Sequence, residues 1–342
     1  MGGVRATRNI IILIKDMKEA EEAWNMVHAG REKLERISPI VRKILGGVIA
    51  AAILTPMSWQ LYTHRTEVGA YLTYIDVRML FVALSLDILD LGILASAWLL
   101  IANRLGITLG FHRDLKAFFF SNLAKRIPGM VWYLAGRAYL YRTVDGGIWI
   151  ATTGTILENS LLALCGLLLA LILLPQLGLN VWVLFALPSV ALISLVLSLR
   201  PATLWEFARL FQHRDKIRPT AGLLVPTRDI LLWFTLYMLV WIVGGFAFHC
   251  FVVAFYPALP LASFPFTLGV STAYSLSGLI AFLLPAGLGI KELTGVYLLS
   301  HLLPAPLAIV IVLLFRVKLL LAEGFWLVLS YCFERWRQQP YR

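Results

Sequence analysis

The segment from Lys125 to Arg142 carries four cationic side chains in an otherwise apolar part of the chain. Arg126, Arg137 and Arg142 join Lys125 within 18 residues that contain no acidic residue. Guanidinium groups match phosphate oxygens with paired hydrogen bonds, and a lysine adds a compact positive charge. Arg137 follows Gly136 deep in an apolar stretch, where a charge usually faces a cavity or a partner. This pattern favours contact with a phosphate-bearing anion, with Arg137 as its principal cation.

The same segment is interrupted by Pro128 and Gly129, and Asn122 precedes the interruption. Trp132 and Tyr133 supply amphipathic rings of the kind that lie at the headgroup level of a membrane. An alternative stays open for Lys125 and Arg126, because basic residues beside an aromatic belt are common on the cytoplasmic surface of membrane proteins.

A second interrupted segment places Pro285, Gly287 and Gly289 just before Lys291 and Glu292. Glycine lets backbone amides approach an anion closely, and a helix that begins near Lys291 directs its positive end towards that place. The segment therefore predicts a second anion contact. In the alternative interpretation the Lys-Glu pair caps a helix near the outer surface.

Two acidic residues, Asp87 and Asp90, lie three positions apart in an apolar run and thus on one helical face. They fit a proton relay, or partners for Arg137 or Arg142 that hold a helical bundle together.

Other charges in apolar runs are Glu158, Arg316, Lys318 and Glu323, which are costly in lipid and should face the protein interior. Pro128 and Glu158 are separated by nearly the same number of residues as Pro285 and Arg316. This spacing predicts that Glu158 and Arg316 lie at equivalent depths and form an ion pair.

These residues belong to a very apolar chain of 342 residues, with 60% hydrophobic and 14% charged residues. A soluble domain would carry about 25% charged residues. Runs near the roughly 20 residues that cross a bilayer predict an all-α, polytopic membrane bundle with six full spans. We place them at 44–62, 79–102, 148–173, 181–199, 230–256 and 306–331.

Two regions, 107–143 and 265–303, are too apolar for loops but are broken by Pro and Gly. We expect each to re-enter the membrane as a pair of short helices. The order span, span, broken segment, span then occurs twice with opposite orientation, which predicts an inverted-topology repeat. The predicted divisions are a surface helix region in 1–43, repeats in 44–175 and 176–332, and a tail in 333–342.

The net charge of +11 does not indicate nucleic acid, because the cations are concentrated in four segments. Residues 1–43, 103–143, 200–229 and 333–342 hold 25 of the 30 Lys and Arg residues, whereas 174–180 and 257–264 hold none. Positive residues favour the cytoplasmic side, so we expect both termini there in an inner membrane with an anionic surface. No catalytic motif, metal ligand set or cofactor motif is found, and none is expected.

The motifs also carry a family resemblance. "SNLAKRIPGMVWYLAGRAYLYR" and "TGTILENSLLALCGLLL", followed by "LIAFLLPAGLGIKELTGVYLL" and "AIVIVLLFRVKLLLAEGFW", resemble the lysylphosphatidylglycerol-synthase transmembrane region family, whose members are also described as flippase-like. The family positions are Asn122, Pro128, Gly129, Gly136, Arg137, Glu158, Pro285, Gly287, Gly289, Lys291, Glu292 and Arg316. Ala286 and Lys291 depart from it, since glycine and arginine are common at these positions.

The resemblance implies movement of a lipid with a phosphate headgroup between leaflets, either a phospholipid or a polyprenyl-phosphate-linked lipid. Bifunctional members carry a soluble transferase domain after the last span, so lipid synthesis is not expected for this chain. Partners in envelope or glycolipid biosynthesis are implied instead. Two alternatives remain: a membrane-embedded lipid-modifying or glycosyl transferase, and a non-catalytic scaffold for a lipid or glycan synthase.

Overall fold

The computed structural model describes residues 75–123, 131–144, 147–173, 225–280 and 290–337, with a few single positions between 59 and 73. All of them lie in one unit, Ile53–Arg342. Several predicted features lie outside the described residues: the surface helix within 1–43, the span at 181–199, most of the span at 44–62, and the side chains of Lys125, Arg126, Pro128, Gly129, Trp132, Pro285, Gly287 and Gly289.

The described residues form eight α-helices and no strand, which confirms the all-α prediction. The helices are α1 Val77–Arg104, α2 Phe111–Leu123, α3 Val131–Leu140, α4 Gly147–Leu173, α5 Thr227–Phe255, α6 Phe264–Ile280, α7 Ile290–Leu299 and α8 Ala305–Arg337. A 3₁₀ turn at Leu261–Ser263 precedes α6.

Four of these helices, α1, α4, α5 and α8, contain a stretch long and apolar enough to cross a membrane. They coincide within a few residues with the spans predicted at 79–102, 148–173, 230–256 and 306–331. The prediction succeeds because a bilayer fixes the length of its spanning helices. The chain is a multi-pass membrane protein.

Each predicted broken segment contains a pair of short helices, α2 with α3 and α6 with α7. They are 10 to 17 residues long. At about 1.5 Å per residue each helix extends about 15–25 Å, which is less than the roughly 30 Å of a hydrocarbon core. The described part of each of the four is therefore too short to cross a bilayer alone.

Local sequence explains where the first helices begin and end. The Asp76 carboxylate caps α1 by accepting hydrogen bonds from the backbone N–H groups of Arg78 and Met79. Gly106 and Gly110 adopt φ of +76° and +95°. Only glycine enters this left-handed region without strain, so these two residues terminate α1 and turn the chain into α2.

The two helices α1 and α5 run antiparallel along each other. At one end the backbone N–H of Asp76 donates to the carbonyl of Ala254, at 2.9 Å. At the other end Arg104 Nε lies 2.7 Å from Asp229 Oδ2. Because these contacts join opposite ends of both helices, α1 and α5 form a central pair on which the short helices pack.

Two hydrophobic cores surround this pair. One combines the C-terminal part of α1 and the N-terminal part of α5 with α2, α3 and α4, and includes Trp98, Phe118 and Trp233. The other combines the opposite ends of the pair with α6, α7 and α8, and includes Phe251, Leu298 and Phe315. Each pair of short helices thus has its own core at one end of the bundle.

Contacts between the two sets of helices come in matching pairs. Helix α2 packs on α8, and α6 packs on α4. Similarly, α1 contacts α8, and α5 contacts α4. If α1, α2, α3 and α4 are matched in order with α5, α6, α7 and α8, the contact of α2 with α8 corresponds to that of α6 with α4. The contact of α1 with α8 likewise corresponds to that of α5 with α4.

Close packing of α4 on α5 depends on Gly166. A methyl group at this position would lie 2.5 Å from Cζ2 of Trp241. The indole N–H of Trp241 donates to the carbonyl of Leu162 at 2.9 Å, which fixes the ring in place.

We predict that Gly166→Ala destabilises the protein by about 1–3 kcal/mol, because the rigid indole must move out of a packed position. The measurement is the thermal unfolding midpoint in detergent. Gly324→Ala is the matched control, since a methyl group at Gly324 of α8 meets no atom within 4 Å. An equal loss in both variants would contradict the packing explanation.

Candidate functional site

Arg137 of α3 lies at the centre of a buried polar cluster. Its side chain and that of Glu158 of α4 are both fully buried, and the Arg137 Nη1 atom forms an ion pair with Glu158 Oε2. Arg137 Nε also donates to Ser121 Oγ of α2, at 3.0 Å. The Tyr133 hydroxyl donates to Glu158 Oε2 at 3.1 Å. The arginine therefore ties three helices together.

Three aromatic rings enclose the same guanidinium. The Arg137 Cζ atom lies 4.1 Å from the ring centroid of Trp98, 4.7 Å from that of Tyr133 and 4.9 Å from that of Phe118. Ring faces attract cations, and the attraction grows when water is excluded. The rings and Glu158 together compensate the burial of the arginine.

A hydrogen-bond chain extends from this cage to the start of α2. Trp98 Nε1 donates to the Tyr141 hydroxyl at 3.1 Å, and that hydroxyl donates to Asp114 Oδ1 at 2.8 Å. Asp114 also accepts from the backbone N–H of Leu109. The chain fixes the turn between α1 and α2 relative to the ion pair.

The cluster retains unused hydrogen-bonding groups. Within the described residues, Arg137 Nη2, Glu158 Oε1 and the Tyr237 hydroxyl are buried and have no hydrogen-bond partner. Tyr237 of α5 is near enough to interact electrostatically with both charges. A buried polar group without a partner costs about 1–3 kcal/mol, so packing alone does not account for this arrangement.

A second ion pair joins the corresponding helices at the other end of the bundle. Glu292 of α7 is buried, and its Oε1 lies 2.5 Å from Nε of Arg316 of α8. The Arg316 side chain is 33% exposed, unlike Arg137. Lys291 precedes Glu292, and its Nζ atom lies 5.7 Å from the ring centroid of Tyr274.

The predicted Glu158–Arg316 ion pair is wrong. Each residue pairs within its own set of helices instead, Glu158 with Arg137 and Arg316 with Glu292. The charges are reversed, since α3 carries a cation and α7 an anion. Equal spacing from a proline predicts depth along a helix but not which neighbour the side chain faces.

The expected pairing of Asp87 with Arg137 or Arg142 is also wrong. Asp87 Oδ2 lies 2.9 Å from Lys318 Nζ of α8, and Arg137 is already bound to Glu158. The two acids of α1 lie against α8 and α5. Asp90 lies one turn further along α1, with its carboxylate against Gly244 of α5.

The other predicted site residues that the structure describes differ in their burial. Asn122 of α2 and Glu323 of α8 are buried, whereas Arg142 is exposed. The Arg142 guanidinium lies 3.6 Å from the ring centroid of Tyr139. Gly136 has open space where a side chain would be.

Sequence reasoning missed the groups that hold these charges in place. Ser121, Trp98, Phe118 and Tyr237 were not predicted as site residues. Lys318 is buried, as expected for a charge inside an apolar span, but its pairing with Asp87 was not predicted. The aromatic residues had no usable signal, since many similar rings line the same helices.

Comparison with known families identifies the chain. The model of the lysylphosphatidylglycerol synthase TM region matches residues 43–322, which is most of the chain. The protein belongs to this family. No curated protein matches it. The family is a membrane domain associated with lipid handling, and it includes all eight described helices apart from the end of α8.

We predict that Arg137→Gln or Glu158→Gln alone destabilises this family member by about 3–5 kcal/mol, because each leaves an unpaired buried charge. The double substitution should recover part of the loss. Thermal unfolding of the two single variants and the double variant in detergent measures the coupling between these residues.

The matched control combines Glu158→Gln with Arg316→Gln. Residues without a shared contact add within about 0.5 kcal/mol, so these two substitutions should be additive. Strong coupling between Glu158 and Arg316, with none between Glu158 and Arg137, would contradict the assigned pairs.

Proposed function

We propose that this protein moves an anionic lipid, a phospholipid or a polyprenyl-phosphate-linked lipid, between the leaflets of the inner membrane. The observation that carries the proposal is the partly exposed Arg316, held by a buried carboxylate inside a membrane domain of a lipid-handling family. Charges within membrane spans are costly and are usually retained for function. A guanidinium with free N–H groups suits a phosphate headgroup, while the apolar chains remain in the bilayer.

The sequence predicts Arg137 as the principal cation for the headgroup, and the structure leads us to assign that role to other residues. Arg137 is fully buried and bound by Glu158, so we assign it to positioning α3 against α4. Among the arginines predicted as site residues, Arg316 is partly exposed and Arg142 is exposed. Headgroup contact is proposed for these two arginines, with Lys291 beside Arg316.

An inverted repeat is part of the proposal. Its support is the repeated order of long, short, short and long helices, the antiparallel α1 and α5, and the matching contacts of α2 with α8 and α6 with α4. Two equivalent halves can exchange conformations and open towards opposite sides. In this proposal the buried Arg137–Glu158 pair belongs to a half in its closed conformation, and the partly exposed Arg316–Glu292 pair belongs to a half in its open conformation.

The distribution of Lys and Arg supports cytoplasmic termini. In this orientation the segment that ends at Arg142 lies on the cytoplasmic side, and Arg142 meets the headgroup there. Helices α6 and α7 then approach from the outer side, and Arg316 serves that leaflet.

We predict that loss of the Arg316 charge slows lipid movement about tenfold or more, because a charge-assisted hydrogen bond contributes about 1.5–3 kcal/mol. The protein is reconstituted into liposomes with trace acyl-labelled phosphatidylglycerol. An impermeant reductant then destroys the label in the outer leaflet, and the slower loss of the protected label reports movement. Acyl-labelled phosphatidylcholine tests the requirement for an anionic headgroup, and a labelled polyprenyl phosphate tests the second lipid class.

The design avoids an unpaired buried Glu292. The single variant Glu292→Gln keeps the Arg316 charge, and the double variant Glu292→Gln with Arg316→Gln removes it. Both lack the Glu292 charge, so the difference between them reports on Arg316 alone. Arg104→Gln is the control, since Arg104 pairs with Asp229 at the ends of α1 and α5. Equal rates in the single and double variants contradict the assignment of Arg316. Conversion of the lipid to a new species indicates an enzyme, and neither movement nor conversion indicates a scaffold.

A further inference from the structure

Three charged side chains meet near the middle of the membrane domain. Asp87 and Asp90 lie near the midpoint of α1, Val77–Arg104, and Lys318 lies midway along the apolar stretch Ala305–Ser330 of α8. The depth is that of the bilayer centre, where ionisable groups are rare and commonly belong to ion or proton pathways.

Lys318 forms an ion pair with Asp87. Its Nζ atom lies 2.9 Å from Asp87 Oδ2, and the exposed fractions of the two side chains are 6% and 4%. The same ammonium lies 3.4 Å from the carbonyl oxygen of Ala247 of α5. It also lies 4.7 Å and 4.8 Å from the ring centroids of Phe251 and Phe315. The lysine is thus enclosed by α1, α5 and α8.

Asp90 is the acid without a matching cation. A methyl group at Gly244 of α5 would lie 3.5 Å from its carboxyl carbon, so the carboxyl packs directly on the backbone of that helix. Its Oδ1 atom is buried and accepts no hydrogen bond within the described residues. The titratable groups that interact with this carboxyl or with Lys318 are Asp87, on the same helix, and the Cys250 thiol of α5.

The group contains two carboxyls and one ammonium; Asp87 and Lys318 are buried, whereas Asp90 is half-buried with its Oδ1 atom shielded. With both acids ionised it would carry a net negative charge, which is costly at this depth. A bound proton removes that charge without another cation. A metal ion is a poor alternative, since the fixed ammonium already stands beside Asp87 and repels it.

We propose that Asp87, Asp90 and Lys318 form a proton-binding site in which the Asp90 carboxyl binds and releases H⁺. When Asp90 gives its proton to water on one side of the membrane, its carboxylate competes with Asp87 for Lys318. The two acids belong to α1 and the lysine to α8, so this exchange shifts one set of helices relative to the other. The coupling to lipid movement rests on the proposed function, whereas the proton site does not.

The test is infrared spectroscopy of the full chain in lipid nanodiscs at neutral pH. A protonated carboxylic acid gives a carbonyl band that an ionised carboxylate lacks, and the band shifts in D₂O. We expect a band in the wild-type protein that is lost in Asp90→Asn. In Lys318→Met the band should gain a second component, because Asp87 then also binds a proton. The gain would identify Lys318 as the group that keeps Asp87 ionised, and its absence would contradict the assigned pair.

Asp229→Asn is the control, because Asp229 pairs with Arg104 at the helix ends; it should leave the band unchanged. Where Asp90→Asn fails to fold, as judged by helical circular dichroism, Asp90→Glu replaces it and should shift the band. The proposal is overturned if the band is unchanged in whichever Asp90 variant folds. It is also overturned if the band responds to sodium chloride but not to pH.

Coupling is measured separately in the liposomes with labelled phosphatidylglycerol. An imposed pH gradient should speed lipid movement in the wild-type protein and have no effect in Asp90→Asn. If the infrared band is present and no lipid moves, the proposed function fails and the proton site stands. If lipid moves at the same rate with and without the gradient, the coupling is overturned.

Discussion

The structure depends on the need to compensate every charge inside a membrane. Three ion pairs do this within the described residues, and each has at least one buried partner: Arg137 with Glu158, Glu292 with Arg316, and Asp87 with Lys318. Each joins two helices, so compensation also fixes how the helices are rotated and placed. Such a pair contributes little net stability, but loss of one partner leaves an isolated charge in a low-dielectric interior. The pairs therefore act mainly by determining which helices pack together, and they restrict which helices can separate from one another.

Around these pairs the bundle is organised by the antiparallel helices α1 and α5. Each pair of short helices, with the long helix that follows, forms a hydrophobic core at one end of this central pair. The two ion pairs between a short and a long helix occupy corresponding places with reversed charge, yet only Arg316 reaches the surface. Lys318 links α8 of one half to α1 of the other. A change at that link would act on the contact between the halves, whereas the other two pairs act within them.

Much of the fold was predictable because one physical quantity, the thickness of the bilayer, decides it. Helices α1, α4, α5 and α8 begin and end within a few residues of the predicted spans, except that α8 continues beyond its span to Arg337. Helices are described on either side of the interruptions predicted at Pro128, Gly129 and Pro285, while these residues themselves lie outside the described part of the chain. The charged residues were predictable too, because Arg137, Glu158 and Asp87 are costly in apolar runs without a partner or a cavity.

The sequence by itself determined which charges the membrane domain must compensate and at what depth along each helix they lie. Only the tertiary structure decided the partners. Glu158 faces Arg137 and not Arg316, and Asp87 faces Lys318, because partner choice depends on the rotation of each helix and on which helices touch. Spacing along one chain does not encode that rotation. It follows from packing between distant parts of the chain, such as that of the Trp98 and Phe118 rings, which enclose Arg137 between α1, α2 and α3.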